Sequence, residues 1–166
     1  MRTKAFTLVE VILVVAILGI LAALVLPTFQ GHAAEARVSA AKDTLRTVRS
    51  QIELYKMQHD GIPPGYANGS PVGEALLAFQ FTATTKVSGA VSPSTVPAGE
   101  YRYGPYLRKL PQNPYNNLSS IAYVAEAADF ASAVDGSTGW LYKKETAEFK
   151  INQPGVDSEG VAFIDY

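Results

Sequence analysis

The chain contains no cysteine, and only two of its 166 residues are histidine. Without cysteine, no disulfide can staple the fold, and catalysis by a thiolate is excluded. The histidines, His32 and His59, fall on one predicted helix and lie too far apart along it to share a metal ion. We therefore expect each of them to be a solvated surface residue.

A strong charge of either sign is also lacking. The 14 lysines and arginines nearly balance the 15 acids, and the sequence has no stretch of basic residues. Proteins that follow a nucleic-acid backbone carry such stretches. We therefore expect no nucleic-acid partner for this chain.

Motifs of the common catalytic sites are absent as well. The sequence has no Gly-x-Ser-x-Gly, no phosphate-binding loop, no dinucleotide fingerprint and no His-x-x-x-His. The acids Glu126, Asp129 and Asp135 are scattered through a region of β character and do not form an acid/base pair at a defined spacing. No residue pattern supports an enzymatic role, and we expect none.

What the chain does have is one long apolar run, from Val11 to Leu26. Arg2 and Lys4 precede this run, and the next lysine or arginine is Arg37. The positive-inside rule then places the N-terminus in the cytoplasm and sends the remainder across the membrane. A helix over residues 7–29 would span about 35 Å, enough for a hydrocarbon core of about 30 Å.

The acid Glu10 lies directly before this apolar run. The run has two ordinary interpretations, and neither accounts for an acid at this position. A secretory signal peptide fits the basic start and the small residues Ala33 and Ala34. The run is longer than a usual signal peptide requires, however, and the acid lowers its hydrophobicity. A plain membrane anchor explains the length and leaves Glu10 unexplained.

The segment Ala5-Phe6-Thr7-Leu8-Val9-Glu10, between a short basic leader and an apolar helix, resembles the processing motif of type IV prepilins. The resemblance implies that a membrane aspartic peptidase cleaves between Ala5 and Phe6 and then methylates the new amino terminus of Phe6. Glu10 then becomes the fifth residue of the mature protein. The residue before the cut is usually glycine in that family. Alanine is the next smallest, so we expect slower processing rather than none.

The same resemblance implies a role for Glu10 in assembly. Cleavage leaves an ammonium on Phe6, and in a helical filament that group can meet the Glu10 carboxylate of a neighbouring subunit, which pairs a charge that is costly in lipid. The alternative is that Glu10 reaches the lipid headgroups. Gly19 and Pro27 fall where the family loosens its helix, which implies an extensible filament core. The alternative for Pro27 is a static bend.

A second match, "YGPYLRKLPQNPYNN" at residues 103–117, resembles the major pseudopilins of type II secretion, the G type. The resemblance implies a structural subunit that sits in the bacterial inner membrane with its head in the periplasm and then joins a helical homopolymer that drives protein export. The implied partners are minor pseudopilins, the prepilin peptidase, and the inner-membrane assembly platform with its ATPase. Two alternatives stay open: a type IV pilin of an adhesion, motility or DNA-uptake filament, and an exported binding or hydrolytic domain with a signal peptide.

Helical periodicity continues beyond the apolar run as an amphipathic stripe. Apolar residues recur at intervals of three and four, the spacing of one helix face: Val38, Ala41, Leu45, Val48, Ile52 and Tyr55. Gly61 with Pro63 and Pro64 ends the pattern. Because the stripe is shorter than three heptads, packing on a local domain is favoured over a coiled-coil seam.

The rest of the chain predicts a small head. We expect a short helix over 72–81, a mobile loop over 82–97, a strand over 121–126 and a hairpin of strands over 139–143 and 148–152. Trp140 and Tyr142 share one face of that hairpin and should pack on the helix stripe.

The predicted fold class is α+β, and the resemblance implies a type IV pilin-like fold. A long N-terminal helix, transmembrane in its first half and amphipathic in its second, packs on a small antiparallel β-sheet head. The expected segments are a cleaved leader at 1–5, a membrane and filament-core helix at 6–29, the amphipathic half at 30–60 and a periplasmic head at 61–166.

The resemblance also implies a metal ion, since major pseudopilins commonly bind calcium in a loop near the C-terminus. The segment "PGVDSEG" offers Asp157, Ser158 and Glu159 as oxygen donors. Calcium takes six to eight oxygens, which these side chains and nearby carbonyls begin to supply. The alternative is a simple polar turn.

Overall fold

The computed structural model describes residues 6–166, leaving out the side chains of residues 24–32. The predicted leader, residues 1–5, lies outside the described residues together with the cleavage residue Ala5, and so does the side chain of Pro27. The chain divides into two compact units, one that ends at Arg37 and one that comprises Val38–Tyr166.

The longest element is helix α1, Leu8–Gln58. Within the described residues, α1 is followed by two shorter α-helices, seven short strands and one 3-10 helix. These elements are β1 (Tyr66–Ala67), β2 (Ser70–Pro71), α2 (Glu74–Thr82), β3 (Thr84–Thr85), β4 (Val91–Ser92), β5 (Ile121–Tyr123), α3 (Phe130–Ala133), β6 (Trp140–Lys143), β7 (Glu148–Ile151) and the 3-10 helix Phe163–Asp165. The helix predicted over 72–81 is therefore confirmed as α2, with a slightly later start.

The amphipathic stripe of α1 packs on the head of its own unit. Its buried residues share one core with side chains of β6 and β7, and the members of this core include Ala41, Leu45, Val48, Ile52, Trp140, Tyr142, Phe149 and Ile151. The ring centroids of Trp140 and Phe149 lie 5.3 Å apart. The predicted packing of Trp140 and Tyr142 against the stripe is confirmed, and a stripe buried in this way is not available as a seam between subunits.

The strands β5, β6 and β7 form a mixed sheet in that order. The predicted hairpin is confirmed, because β6 and β7 are antiparallel with Tyr142 opposite Phe149. The first strand is shorter than the predicted 121–126 and pairs in parallel with β6, so this sheet is not purely antiparallel. A parallel pair needs a crossover connection. Here the crossover contains α3, and it covers the second face of the sheet with a small apolar cluster of Val124, Phe130 and Leu141.

Both outer edges of this sheet are bonded to side chains of the same head. On the β7 side, Nε and Nη2 of Arg49 donate to the carbonyl oxygen of Phe149 at 3.1 and 2.9 Å, and Nη2 also donates to the carbonyl oxygen of Tyr166 at 2.6 Å. On the β5 side, the backbone N–H of Tyr123 donates to Oε1 of Glu74 at 3.1 Å. Unbonded edge groups invite a strand from another chain, and these groups are already bonded.

The mobile loop predicted over 82–97 is wrong, because this segment contains the antiparallel hairpin of β3 and β4. Thr84 and Thr85 are fully buried, and Thr85 also forms a β-bridge with Tyr103. Strands of two residues are too short to show the alternation by which a strand is recognised in a sequence. The small and polar residues around them therefore suggested a loop.

The prediction that His59 is solvated is also wrong, because its side chain is fully buried. Its ring stacks on the Tyr55 ring at a centroid distance of 3.6 Å. Nδ1 lies 2.7 Å from the carbonyl oxygen of Tyr55, and Nε2 lies 3.0 Å from Oγ1 of Thr85. A carbonyl oxygen only accepts, so Nδ1 carries the proton and Nε2 of the neutral ring accepts from the Thr85 hydroxyl. Burial lowers the pKa of His59.

Candidate functional site

The start of α1 is closed by a reciprocal contact between Thr7 and Glu10. The backbone N–H and the hydroxyl of Thr7 donate to Oε2 of Glu10 at 3.0 and 2.9 Å, and the backbone N–H of Glu10 lies 3.3 Å from Oγ1 of Thr7. This arrangement is a capping box, in which two otherwise unbonded N–H groups of a helix start are satisfied by side chains. None of these three bonds uses Oε1 of Glu10.

Thr7 is the functional residue that the sequence interpretation missed. The signal was present, since Thr7-Leu8-Val9-Glu10 fits the Ser/Thr-x-x-Glu pattern of a capping box before an apolar run. The pattern explains Glu10 without a membrane or a neighbour, because a carboxylate at this position stabilises a helix start through bonds and through the helix dipole. Pairing with a neighbouring subunit stays a prediction beside this observed role.

The apolar side chains that follow the capping box are exposed within this chain. From Phe6 to Ala23 every described side chain is exposed, and Phe6 itself is 80% exposed. Apart from the adjacent residues and backbone of its own helix, nothing in the described part of the chain lies within 4 Å of where a Cβ on Gly19 would stand. A helix that is apolar on all sides normally buries that surface in lipid or in a larger assembly.

Among the residues whose side chains the structure describes, no helix combines the length and the apolar character that a membrane crossing requires. Residues 24–29 of the predicted span lie outside that description. The predicted span of 6–29, the cut after Ala5, the methylation of Phe6 and the loosening of the helix at Gly19 and Pro27 all stay predictions.

The loop proposed for calcium is a closed polar turn. Oδ1 of Asp157 accepts the backbone N–H groups of Glu159 and Val161, both at 2.9 Å, and Oδ2 accepts the hydroxyl of Tyr166 at 2.6 Å. The Tyr166 hydroxyl and the Val161 N–H hold the pKa of Asp157 below its usual value. Ser158 and Glu159 are exposed.

These residues do not fit a calcium ion. Calcium needs six to eight converging oxygens, whereas both oxygens of Asp157 face hydrogen-bond donors. Within residues 6–166, as far as their side chains are described, no group of three or more His, Cys, Asp or Glu side chains is placed to hold a metal ion. The calcium expectation therefore gains no support from this loop.

Comparison with known proteins agrees with the N-terminal motif. Residues 1–26 match the family model described as the prokaryotic N-terminal methylation motif. A long N-terminal helix that carries this motif, joined to an α+β head with small sheets, defines a type IV pilin-like protein.

Individual relatives narrow this class. The chain is 32% identical to the type II secretion system core protein G of Pseudomonas aeruginosa over 116 residues, which cover 70% of each chain. It is 29% identical to the protein of the same name from Aeromonas hydrophila over 141 residues, 83% of this chain and 87% of the relative. The type IV major fimbrial protein FimA of Dichelobacter nodosus is 37% identical over 89 residues, 54% of this chain and 56% of the relative. The chain belongs to the family of type II secretion system core protein G. No solved structure matches it.

Proposed function

We propose that this chain is a structural subunit of a type II secretion pseudopilus. The observation that carries the proposal is the exposed and mostly apolar segment from Phe6 to Ala23, which lies within the N-terminal methylation motif. Such a surface needs lipid before assembly and neighbouring helices after it. The subunit therefore waits in the inner membrane with its head in the periplasm and then joins a helical homopolymer.

Processing comes before assembly in this proposal. A prepilin peptidase cuts between Ala5 and Phe6, and Phe6 is then methylated. Thr7 and Glu10 both lie on the mature side of the cut, so the capping box remains after cleavage. Assembly requires the inner-membrane platform with its ATPase, and minor pseudopilins are the other partners.

Glu10 has one partner in the single subunit and gains a second in the filament. In the single subunit its Oε2 accepts from Thr7. In the filament its carboxylate also receives the Phe6 ammonium of the neighbouring subunit, a charged pair enclosed in the filament core. Oε1 of Glu10 takes no part in the three bonds of the cap, so the cap need not break when the pair forms.

The experiment that tests the processing step is N-terminal sequencing of the mature protein, supported by its intact mass. The proposal requires an N-methylated Phe6 as the first residue. A mature N-terminus near Ala34 would assign the apolar run to an ordinary signal peptide and would remove the chain from any filament.

A second candidate function is a type IV pilin, because the chain is also 37% identical to the type IV major fimbrial protein FimA over 54% of its length. Deletion of the gene separates the two candidates. Loss of extracellular enzymes with normal surface pili supports the pseudopilus. Loss of pili with normal secretion supports the pilin.

A further inference from the structure

Three asparagines tie the loops of the head around the C-terminal end of β7, and we name Asn113, Asn116 and Asn152 the asparagine clamp. Asn113 and Asn152 are fully buried, and Asn116 is half-buried. A buried amide is costly unless its bonds are made. All three amides are bonded to backbone or side-chain groups of distant segments, so the clamp is a built part of the fold.

Asn152, directly after β7, is bonded at both ends of its amide. Oδ1 accepts the backbone N–H groups of Asp135 and Gly136, both at 2.9 Å. Nδ2 donates to Oδ1 of Asp135 and to Oγ1 of Thr138, again at 2.9 Å. These four bonds are the full capacity of one amide, and they fix the loop of residues 135–138 to the end of the sheet.

The other two clamp residues gather backbone carbonyl oxygens. Nδ2 of Asn116 donates to the carbonyls of Gly136 and Thr138 at 3.2 and 2.9 Å. Nδ2 of Asn113 donates to the carbonyl of Gly139 at 3.0 Å and approaches that of Asn152 at 3.4 Å. Carbonyl oxygens only accept, which fixes the orientation of both amides.

Backbone carbonyls and aspartate oxygens are also the groups that a calcium ion collects. In this head the carbonyls around residues 136–139 converge on amide N–H donors. One oxygen of the acid beside them is bonded too, since Oδ1 of Asp135 accepts from Asn152 and from the N–H and hydroxyl of Ser137. These bonds, the Asn152 amide first among them, lower the pKa of Asp135 to about 2.

We propose that the asparagine clamp does in this chain what a bound calcium ion would otherwise do, so that the folded head is independent of calcium. The inference departs from the expectation that the family resemblance raises, and it does not depend on the proposed place of the chain in a pseudopilus. It rests on two loops, at residues 135–139 and 157–161, in which the carbonyl oxygens of Gly136 and Thr138 and both oxygens of Asp157 already face donors.

Thermal unfolding of the full chain in detergent micelles tests the proposal. The single tryptophan, Trp140, is buried beside the clamp, and its indole N–H donates to the carbonyl of Pro111 at 2.9 Å, so its fluorescence reports on the head. The Tm should be the same in EGTA and in millimolar CaCl2. A site of micromolar affinity would instead raise the Tm by about 10 °C, and such a rise would overturn the proposal.

The variant Asn116→Asp tests the clamp itself. The change removes the amide donors and places a carboxylate against the carbonyls of Gly136 and Thr138. We expect the Tm to fall by several degrees or the head to fail to fold. The matched control is Asn117→Asp, the same change at an exposed neighbour, which should leave the Tm nearly unchanged. Equal Tm values for the two variants would overturn the role of Asn116, whatever the calcium measurement gives.

Discussion

The backbone N–H and the hydroxyl of Thr7 donate to the same carboxylate oxygen of Glu10, at 3.0 and 2.9 Å. The acid at the entrance of the apolar run thus has a partner within its own chain. The Glu10 side chain caps its own helix, and its charge is proposed to pair with the Phe6 ammonium of a neighbouring subunit. Different substitutions can remove one of these interactions and keep the other.

We predict that Glu10→Gln is cleaved normally but fails to assemble. Glutamine keeps the capping box, since it serves at this position as glutamate does, but it offers no charge to the Phe6 ammonium. An ammonium buried without its partner costs about 3–5 kcal/mol, repeated at each added subunit. Sheared filaments from cells that express only the variant are the measurement.

Thr7→Ala is the matched variant, because it removes the hydroxyl of the cap and keeps the carboxylate. Loss of a capping side chain costs about 1 kcal/mol, so we expect reduced but clear assembly. If Glu10→Gln assembles normally while Thr7→Ala does not, the cap is the function of Glu10 and the pairing proposal fails.

Processing should depend on the size of residue 5. We predict that Ala5→Gly is cleaved as fast as the parent chain or faster, whereas Ala5→Leu keeps its leader, because the peptidase requires a small residue before the cut. The electrophoretic mobility and intact mass of membrane-fraction protein measure the outcome. Normal maturation of Ala5→Leu would argue against this peptidase.

The head should lose stability below neutral pH through His59. Burial lowers the pKa of the folded-state imidazole from its ordinary 6.5, so the unfolded chain binds this proton more readily. The stabilisation is complete above pH 6.5 and is lost as the pH falls toward the folded-state pKa, by at most about 1.4 kcal/mol per pH unit. The measurement is the Tm of the full chain in detergent between about pH 8 and about pH 5, a range that contains the ordinary imidazole pKa of 6.5.

The control for this titration is His59→Gln, which removes the titrating ring. The variant is expected to be less stable at neutral pH, because the stack on Tyr55 is lost. Its Tm should fall less steeply than that of the parent as the pH decreases. Parallel curves for the two proteins would assign the pH dependence to other groups.

Arg49 should contribute measurably to stability, whereas its neighbour one turn earlier should not. Arg49→Ala removes the bonds to the carbonyls of Phe149 and Tyr166. We expect a loss of about 2 kcal/mol and a fall in Tm of about 4–8 °C. Arg46 is 81% exposed and paired only with Asp43 at 3.3 Å among the described residues, so Arg46→Ala should cost less than about 0.5 kcal/mol. Similar effects of both variants would contradict the role of Arg49 at the sheet edge.

Periodic features of the head could be predicted because they are local. The stripe from Ala41 to Tyr55 and the hairpin around Trp140 each repeat at the spacing of their element, and the structure confirms both. His59 continues the same stripe four residues after Tyr55, yet its burial depends on Thr85, which the sequence places far away. No local pattern reports a contact of that kind.

The site residues also include some that a local sequence pattern reveals and others whose contacts form only in the folded head. The order of residues from Ala5 to Glu10 identifies the processing motif, and the spacing of Thr7 and Glu10 is enough to reveal the cap. The asparagine clamp could not be predicted, because Asn113 lies in a segment rich in turn residues and Asn152 is the last residue of a predicted strand. Their importance comes from carbonyl groups that tertiary folding brings to them.

The bonded backbone groups at the edges of the three-stranded sheet affect how heads of neighbouring chains can pair. Strand pairing between chains builds a continuous ladder of backbone bonds, which is very stable once formed. Here the Phe149 carbonyl and the Tyr123 N–H are already taken, so a ladder at either position would first have to break internal bonds. Pairing of strands between two heads is therefore disfavoured at these two positions, one on each outer strand of the sheet.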